Sequence, residues 1–418
     1  MNPPFANPAK TLPDRPDLRH LRDQACDLLR SGVAGKLSEA QLRIARDYGF
    51  KSWPKLKSHV EALGRIGELK AAIDANDLHA VQRLMTRDPE LHCAPLGYGK
   101  NGPLTWVAEC RVPREAPSEA RLEIARWMLA NGSDVHQGGD GPLMRAALND
   151  VRIPMMELLV QHGADVNALW NGSYPILCAP CETLEPRALQ WLLEHGADPR
   201  RVFPKYGSPL SMVFGTYGRN PEGKHACIEA FVDAGFQMPA TPILAFHRGR
   251  TDLLEEALAQ DSALLERRFT TAEIFPPEID VAPGDGLHLT PIEGATLLHL
   301  AVEYDELEVM EWLLQRGANV DAASAVDAEG FGGHTPLFHA VVAMGRRDDA
   351  KARMLLAHGA DPNARATLRK QLRDMGDPEA ERMREFHDVT PTAYARAFQA
   401  PQWVSEPALA AIAAAGGA

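Results

Sequence analysis

Apolar side chains recur along the chain in short blocks that have the spacing of an amphipathic helix. In ELEVMEWLLQ (306–315), Val309, Trp312 and Leu313 fall three or four positions apart and therefore share one helix face. Short stretches rich in Gly, Asp, Asn and Pro, which are residues typical of turns, separate the blocks. The pattern predicts an all-α chain built from pairs of short helices.

Two phrases recur in step with these blocks, in most cases about thirty to forty residues apart, and such a period indicates a stacked repeat array. The phrase that follows a helix pair reads QHGADVNA (161–168), EHGADPRR (194–201), QRGANVDA (315–322) and AHGADPNA (357–364). The phrase that precedes a pair reads GPLM (141–144), SPLS (208–211), TPIL (241–244) and TPLF (335–338).

Each phrase has a structural reason. Thr or Ser before Pro is a helix N-cap followed by a residue suited to the first turn, and Gly after a helix favours the left-handed backbone that ends it. Each unit is therefore a helix, a short turn, a second helix and a projecting loop or hairpin. One unit cannot bury its own apolar face, so neighbouring units must stack.

Two segments carry both phrases and resemble ankyrin repeats: TLLHLAVEYDELEVMEWLLQRGANVDA (296–322) and HTPLFHAVVAMGRRDDAKARMLLAHGADPNA (334–364). The resemblance implies an all-α ankyrin-repeat solenoid with short projecting hairpins or loops, of about nine helix pairs over residues 66–418. The Ala-, Arg- and Pro-rich composition and the segment 40–61 are similar to bacterial members of the family. The resemblance implies a fold and a binding role rather than a named reaction.

Two insertions interrupt the repeats. Residues 270–293 contain four prolines and two glycines, which predict a loop. Residues 366–388 have helical spacing and alternating charges, which indicate a helical excursion. Insertions in solenoids usually lie on one face, often the binding face, so we expect at least one to fold over the concave surface and narrow it. The alternative is a mobile excursion.

The N-terminal segment, residues 1–65, differs from the repeats. Its apolar stripes predict helices joined by a turn at Tyr48-Gly49-Phe50. Because the first apolar face of a solenoid must be covered, we interpret this segment as a helical cap. A DNA-reading helix-turn-helix over residues 36–63, which is rich in Lys and Arg, is the alternative.

Composition limits the compartment and the partners. The formal net charge of −12 argues against nucleic acid as the main partner of the whole chain. No stretch of 18 apolar residues is present, so no membrane span is expected. The start of the chain has no apolar signal-peptide core, and the six cysteines are irregularly spaced, so we predict a cytoplasmic protein with reduced thiols.

Cys178 and Cys181 stand at the spacing of a redox pair or of half a zinc site. In the register of the repeat, Cys178 takes a core leucine position, and Cys181 falls near the groove side as a small surface thiol. A zinc site would need two further ligands, and no second such pair occurs. We therefore interpret the two cysteines as structural and expect no metal and no cofactor.

A group of polar residues in the C-terminal third could line a pocket beneath the insertions. The group consists of His299, Glu303, His334, His339, His387 and Asp388. Such residues suit acid–base chemistry or metal binding. The alternative is ordinary hydrogen bonding at helix starts, which the ankyrin resemblance implies for His299.

Aromatic residues in consecutive units indicate a second surface. The predicted partner-binding residues are Trp170, Tyr174, Phe203, Tyr206 and Tyr217. They fall in projecting loops or beside first helices, so stacking would align them along one edge, and binding hot spots are rich in such side chains. The alternative is packing between loops of the array.

The sequence thus predicts a non-catalytic scaffold that binds a partner protein through the concave groove, the loops and the insertions, monomeric by itself. The common phosphate-binding, acyl-transfer and zinc-protease motifs are absent. An enzyme or small-molecule binder with its site at the histidine group is the alternative. A DNA-linked regulator is a third, weaker hypothesis.

Overall fold

The computed structural model describes residues 10–13, 16–109, 115–201, 207–279, 281, 288–373 and 375–417. The chain forms two compact units. The first comprises Met1–Arg145 with Gln161–Gly163, and the second comprises Ala146–Val160 with Ala164–Ala418. None of the helices in the described part of the chain has the length and apolar character needed to cross a membrane.

The first unit is helical. Its helices are α1 (Leu18–Arg30), α2 (Leu37–Asp47), α3 (Trp53–Asp74), α4 (Leu78–Arg87), α5 (Pro103–Ala108) and α6 (Glu119–Ala130). Two helices carry residues of both units: α7 (Gly141–Ala147) and α8 (Ile153–Gln161).

The N-terminal helices have a small core of their own. Leu21 and Ala25 of α1 belong to one buried cluster with Ile44 of α2 and with Leu56 and Val60 of α3. Helix α3 continues without a break from Trp53 to Asp74, past residue 65. The same helix therefore contributes to this small core and, through its C-terminal half, to the packing of α4. The role of residues 1–65 as a cap on the first repeat stays a prediction.

The second unit is a series of helix pairs. Its helices are α9 (Cys178–Thr183), α10 (Pro186–Glu194), α11 (Pro209–Gly215), α12 (Pro221–Asp233), α13 (Pro242–His247), α14 (Thr251–Gln260), α15 (Thr271–Ile274), α16 (Leu297–Glu303), α17 (Leu307–Gln315), α18 (Pro336–Val341), α19 (Ala350–Ala357), α20 (Pro391–Ala397) and α21 (Glu406–Ala414). Its strands are β1 (Leu169–Trp170), β2 (Tyr174–Pro175), β3 (Ala366–Lys370) and β4 (Arg384–Val389).

The predicted helix starts and stops are confirmed, except that the hydroxyl of Thr335 makes no capping hydrogen bond. The hydroxyls of Ser208 and Thr390 accept hydrogen bonds from the backbone N–H groups of Ser211 and Ala393, so both residues are N-caps before a proline. Gly317, after α17, has a φ of 86°, the left-handed conformation that ends a helix. These local signals repeat along the unit, and the predicted all-α class is confirmed, with only short antiparallel hairpins added.

The second insertion is not helical, and that prediction was wrong. Residues 366–370 and 384–389 form an antiparallel hairpin in which Leu368 pairs with Phe386. Both side chains are buried, and in β3 apolar and polar residues alternate with the period of a sheet. The charged stretch between the strands suggested helical spacing, yet in its described part it forms turns rather than a helix.

The first insertion is mostly irregular, as expected for a loop. It begins with the single-turn helix α15, whose N-cap Thr270 and third residue Glu273 form a reciprocal capping box. A backbone bridge between Phe269 and Ala295 brings the two ends of the insertion together. Residues 280 and 282–287 lie outside the described part of the chain.

Candidate functional site

His299 is a structural residue, as the repeat pattern implies. It is fully buried in the first turn of α16, where its Nδ1 accepts hydrogen bonds from the backbone and hydroxyl of Thr296. Its Nε2 donates to the carbonyl oxygen of His334 at 2.9 Å. Burial lowers the pKa of the imidazole to about 3, so the ring is neutral and links two consecutive repeats.

His334 is held in the same way. Its Nδ1 forms a 2.9 Å hydrogen bond with the hydroxyl of Ser324, and its Nε2 donates to the carbonyl oxygen of Pro291 at 3.0 Å. Burial, together with the neighbouring His339 and His299, keeps the pKa of His334 well below its usual value. The ring is therefore an uncharged part of the core that joins the first insertion to the repeats.

Glu303 is the charged centre of the histidine group. Its Oε2 accepts from His339 Nδ1 at 2.8 Å, and its Oε1 lies 3.2 Å from the guanidinium of Arg219. Burial alone would raise the pKa of this carboxyl, but the hydrogen bond from His339 and the charges of His339 and Arg219 outweigh burial and lower it to about 2. Glu303 is thus an ionised, buried carboxylate.

The predicted pocket group is only partly brought together. The rings of His299, His334 and His339 lie 5.2 to 5.7 Å apart between centroids, beside Glu303. His387 and Asp388 are instead exposed on β4, and this placement contradicts their predicted membership of the pocket. Both are exposed although they are consecutive, because the strand pairing is irregular here and Asp388 has a φ of 49°. Within the described residues no cluster suited to holding a metal ion is present.

Sequence reasoning missed further buried charges in this unit. Lys224 is buried and donates from Nζ to His247 Nδ1 at 2.7 Å, while its charge lies 4.0 Å from the ring centroid of Tyr304. Burial lowers the pKa of Lys224 to about 7. Lys351 is also buried and pairs with Asp305. No sequence signal marked these residues, because each lies in or beside a polar turn where charge normally faces solvent.

A surface cavity of about 340 Å³ opens where both insertions meet the loop of residues 324–333. We call it the insertion pocket. Pro291 and Glu293 come from the first insertion, Val326 and Phe331 from the loop, and Leu368 from β3. The buried His334 ring forms part of its lining. Of the six residues predicted to form a pocket beneath the insertions, His334 is the one that lines this cavity.

The insertion pocket is held in shape by contacts between its walls. The backbone N–H of Gly332 donates to the carbonyl oxygen of Thr367 at 2.6 Å, which joins the loop to β3. The Arg369 guanidinium lies 4.6 Å from the Phe331 ring centroid and pairs with Asp327 at 2.8 Å. Gly332 has a φ of 131°, and an added Cβ would lie 2.0 Å from a backbone oxygen of the loop, so only glycine fits there.

The predicted partner-binding aromatic residues that the structure describes differ in exposure instead of sharing one exposed edge. Tyr174 is buried and its hydroxyl donates to Glu182 at 2.7 Å, so its ring supports packing within the unit. Trp170 is half-buried and meets Tyr174 edge-on. Tyr217 is 47% exposed. Phe203 and Tyr206 lie outside the described residues.

The two closely spaced cysteines are both buried. Burial raises the pKa of Cys178 to about 12 and that of Cys181 well above its usual value. The interpretation of Cys178 as a core residue agrees with this placement, but the expected surface position of Cys181 was wrong. Its side chain faces inward, toward Cys178 and Cys227, whose charges would further oppose ionisation.

Comparison with known proteins identifies the repeats. Residues 270–366 match the family model for ankyrin repeats in three copies, and residues 138–171 match the model for a single ankyrin repeat. The chain contains ankyrin repeats. An ankyrin repeat protein of fowlpox virus (strain NVSL) is 23% identical to this ankyrin chain over 270 residues, which cover 62% of the chain and 43% of the viral protein.

Proposed function

We propose that this ankyrin-repeat protein is a non-catalytic scaffold that binds a partner protein through its loops and insertions. The observation that supports the proposal most is the insertion pocket, where two insertions and a repeat loop are joined into one formed surface. A surface that is already ordered loses little conformational entropy on binding. Stacked repeats present such surfaces in extended form.

The same proposal includes the finer expectations from sequence. We infer that the protein acts as a monomer in the cytoplasm of a bacterium, with its cysteines reduced, and that nucleic acid is not its main partner. The free thiols among the described cysteines agree with a reducing compartment, and the net charge of −12 agrees with a protein rather than a nucleic-acid partner.

The histidine group does not favour an enzyme. His299 and His334 engage both ring nitrogens in hydrogen bonds within the core, and His339 donates to a buried carboxylate. A general acid or base must reach the atom whose proton it transfers. These rings hold repeats together instead.

Direct binding tests the proposal. The full chain, expressed in its native cell with an affinity tag, should enrich one protein, and that protein, purified, should bind the purified chain directly and saturably. Tyr217→Ala removes an exposed ring, and Leu37→Ala, an exposed apolar residue on α2, is its control. If no enriched protein binds when both components are pure, the scaffold proposal fails. If binding survives Tyr217→Ala unchanged, the aromatic edge is not part of the surface.

A further inference from the structure

The insertion pocket has a neutral, apolar floor. Leu368 and the His334 ring are each 1% exposed, and Pro291 lies beside them. His334 carries no charge at neutral pH, because burial lowers its pKa and both its nitrogens are paired. Such a floor suits aliphatic carbon rather than a charged or strongly hydrated group.

The rim of the pocket is acidic. Glu293 is exposed, and its Oε2 accepts from the backbone and the hydroxyl of Thr271 at 2.7 and 2.6 Å. These bonds fix the carboxylate while its Oε1 makes no hydrogen bond within the described residues. Asp327 stands on the same rim with its Oδ1 held by two backbone N–H groups of its own loop. Two fixed carboxylates therefore border the apolar floor.

The chain already holds a cation in one wall. Arg369 lies across the Phe331 ring and pairs with Asp327 and Glu329. This contact combines an aromatic face with paired acids, the arrangement that recognises a guanidinium. The charge of Arg369 is balanced by Asp327 and Glu329. It therefore leaves the charge of Glu293 unbalanced, and the opening of the pocket is acidic.

Val326 is an exposed apolar residue at the opening of the pocket. It is 61% exposed, an apolar side chain left at the mouth of the pocket beside the carboxylate rim. Lysine and arginine lay their aliphatic stems along apolar surface and keep the charged head at a polar edge. A cationic side chain thus matches floor, mouth and rim together. An anionic ligand would meet the carboxylates of the rim, and the Arg369 guanidinium in the wall is already paired with acids.

We infer that the insertion pocket is the anchor site for a lysine or arginine side chain on an extended segment of the partner protein. The inference rests on the proposed partner binding and names the chemistry of the partner. The stem of the side chain lies over Leu368 and Val326, and its head pairs with Glu293. The net charge of −12 adds a general attraction for a basic segment.

A peptide library tests the inference. Random dodecapeptides displayed on phage are selected on the immobilised full chain, and the enriched peptides are synthesised with a fluorescent label. We expect them to share an Arg or Lys flanked by apolar residues. Replacing that Arg by citrulline, which keeps the shape and removes the charge, should weaken binding at least tenfold.

Two variants and one control locate the site. Glu293→Gln keeps an acceptor for Thr271 but removes the charge, and Val326→Lys places a like charge at the mouth; each should weaken binding about tenfold. Glu311→Gln removes an exposed charge on α17 and should leave binding unchanged. Val326 and Glu293 are exposed, so unfolding midpoints should match that of the unaltered chain.

Several outcomes would overturn the inference. These are the absence of enriched peptides, enrichment without a shared cation, equal binding of the citrulline peptide, or full binding by both pocket variants. If N-acetyl-arginine amide alone binds as tightly as the peptides, the pocket serves a small cation and not a protein. A native partner that binds Val326→Lys as well as it binds the unaltered chain would refute the pocket while leaving the scaffold proposal intact.

Discussion

Replacing Glu303 by glutamine should destabilise the second unit by about 3 kcal/mol. The buried Arg219 guanidinium loses its counter-charge, while the amide keeps nearly the same volume. His339 Nδ1, which donates to the carboxylate at 2.8 Å, would face either an amide donor or a weaker acceptor. Removing one partner of a buried ion pair commonly costs about 3–5 kcal/mol, because the remaining charge is left without compensation.

The lowered pKa of Glu303 gives a similar value for the loss in the free energy of unfolding. A fall of this pKa from its ordinary value of 4.5 to about 2 corresponds to about 3.5 kcal/mol, at roughly 1.4 kcal/mol per pH unit. The pH dependence of stability has the sign expected for a carboxylate whose pKa is lowered by folding. Its contribution is complete above the ordinary pKa and is lost as pH falls toward 2. The difference between the two proteins should therefore be about 1 kcal/mol smaller at pH 4 than at pH 7.

Urea unfolding at 25 °C, followed by circular dichroism at pH 7 and pH 4, measures both quantities. Glu311→Gln, an exposed change on the neighbouring helix α17, is the control and should stay within about 0.5 kcal/mol of the unaltered chain. In thermal unfolding, Glu303→Gln should lower the midpoint of the transition by about 6–12 °C. A loss below about 1 kcal/mol at pH 7 would refute the view that Glu303 neutralises a buried cation.

Three further predictions follow from the same unit. Because burial lowers the pKa of Lys224 to about 7, this residue loses its proton on folding above pH 7, while in the unfolded chain it keeps it. The free energy of unfolding should therefore rise by about 1–2 kcal/mol from pH 7 to 8.5. Urea titrations should show that Lys224→Met abolishes this rise. Iodoacetamide should label the exposed Cys93 in the folded chain but Cys181 only after unfolding; early modification of Cys181 in peptide mass spectra would contradict its burial. Gly345→Ala brings a Cβ within 2.0 Å of Asp305 Oδ2 and should cost about 1–3 kcal/mol, whereas an unchanged midpoint would show that the site can adjust.

The repeats were predictable because their signals are local. Thr before Pro391 and Gly317 after α17 each act within a turn of their own position, and the recurrence of such signals defined the register. The same register correctly placed Cys178 in the core. It misplaced Cys181, because the groove side of a helix start was assumed to be open, while in this repeat the residue faces Cys227 of α12.

The site was harder to predict because its contacts are distant in sequence. Arg219 lies in a polar turn, and its burial depends on Glu303, which is 84 positions away. The hairpin of the second insertion was missed since its strands are short and a longer charged stretch between them dominates the pattern. The alternation of apolar and polar residues that places Leu368 inward could have indicated a strand had the two ends been considered apart from the middle.

The contact of Arg219 with Glu303 also bears on how the second unit unfolds. Stacked repeats that touch only their neighbours can peel away from an end, one pair at a time. Here the turn between α11 and α12 bonds to α16, and His225 of α12 bonds to Glu306 at 2.9 Å, so both links span the intervening pair α13–α14. The links tie the flanking helix pairs to each other across α13–α14, so the segment from α11 to α17 should unfold as one cooperative block rather than one pair at a time.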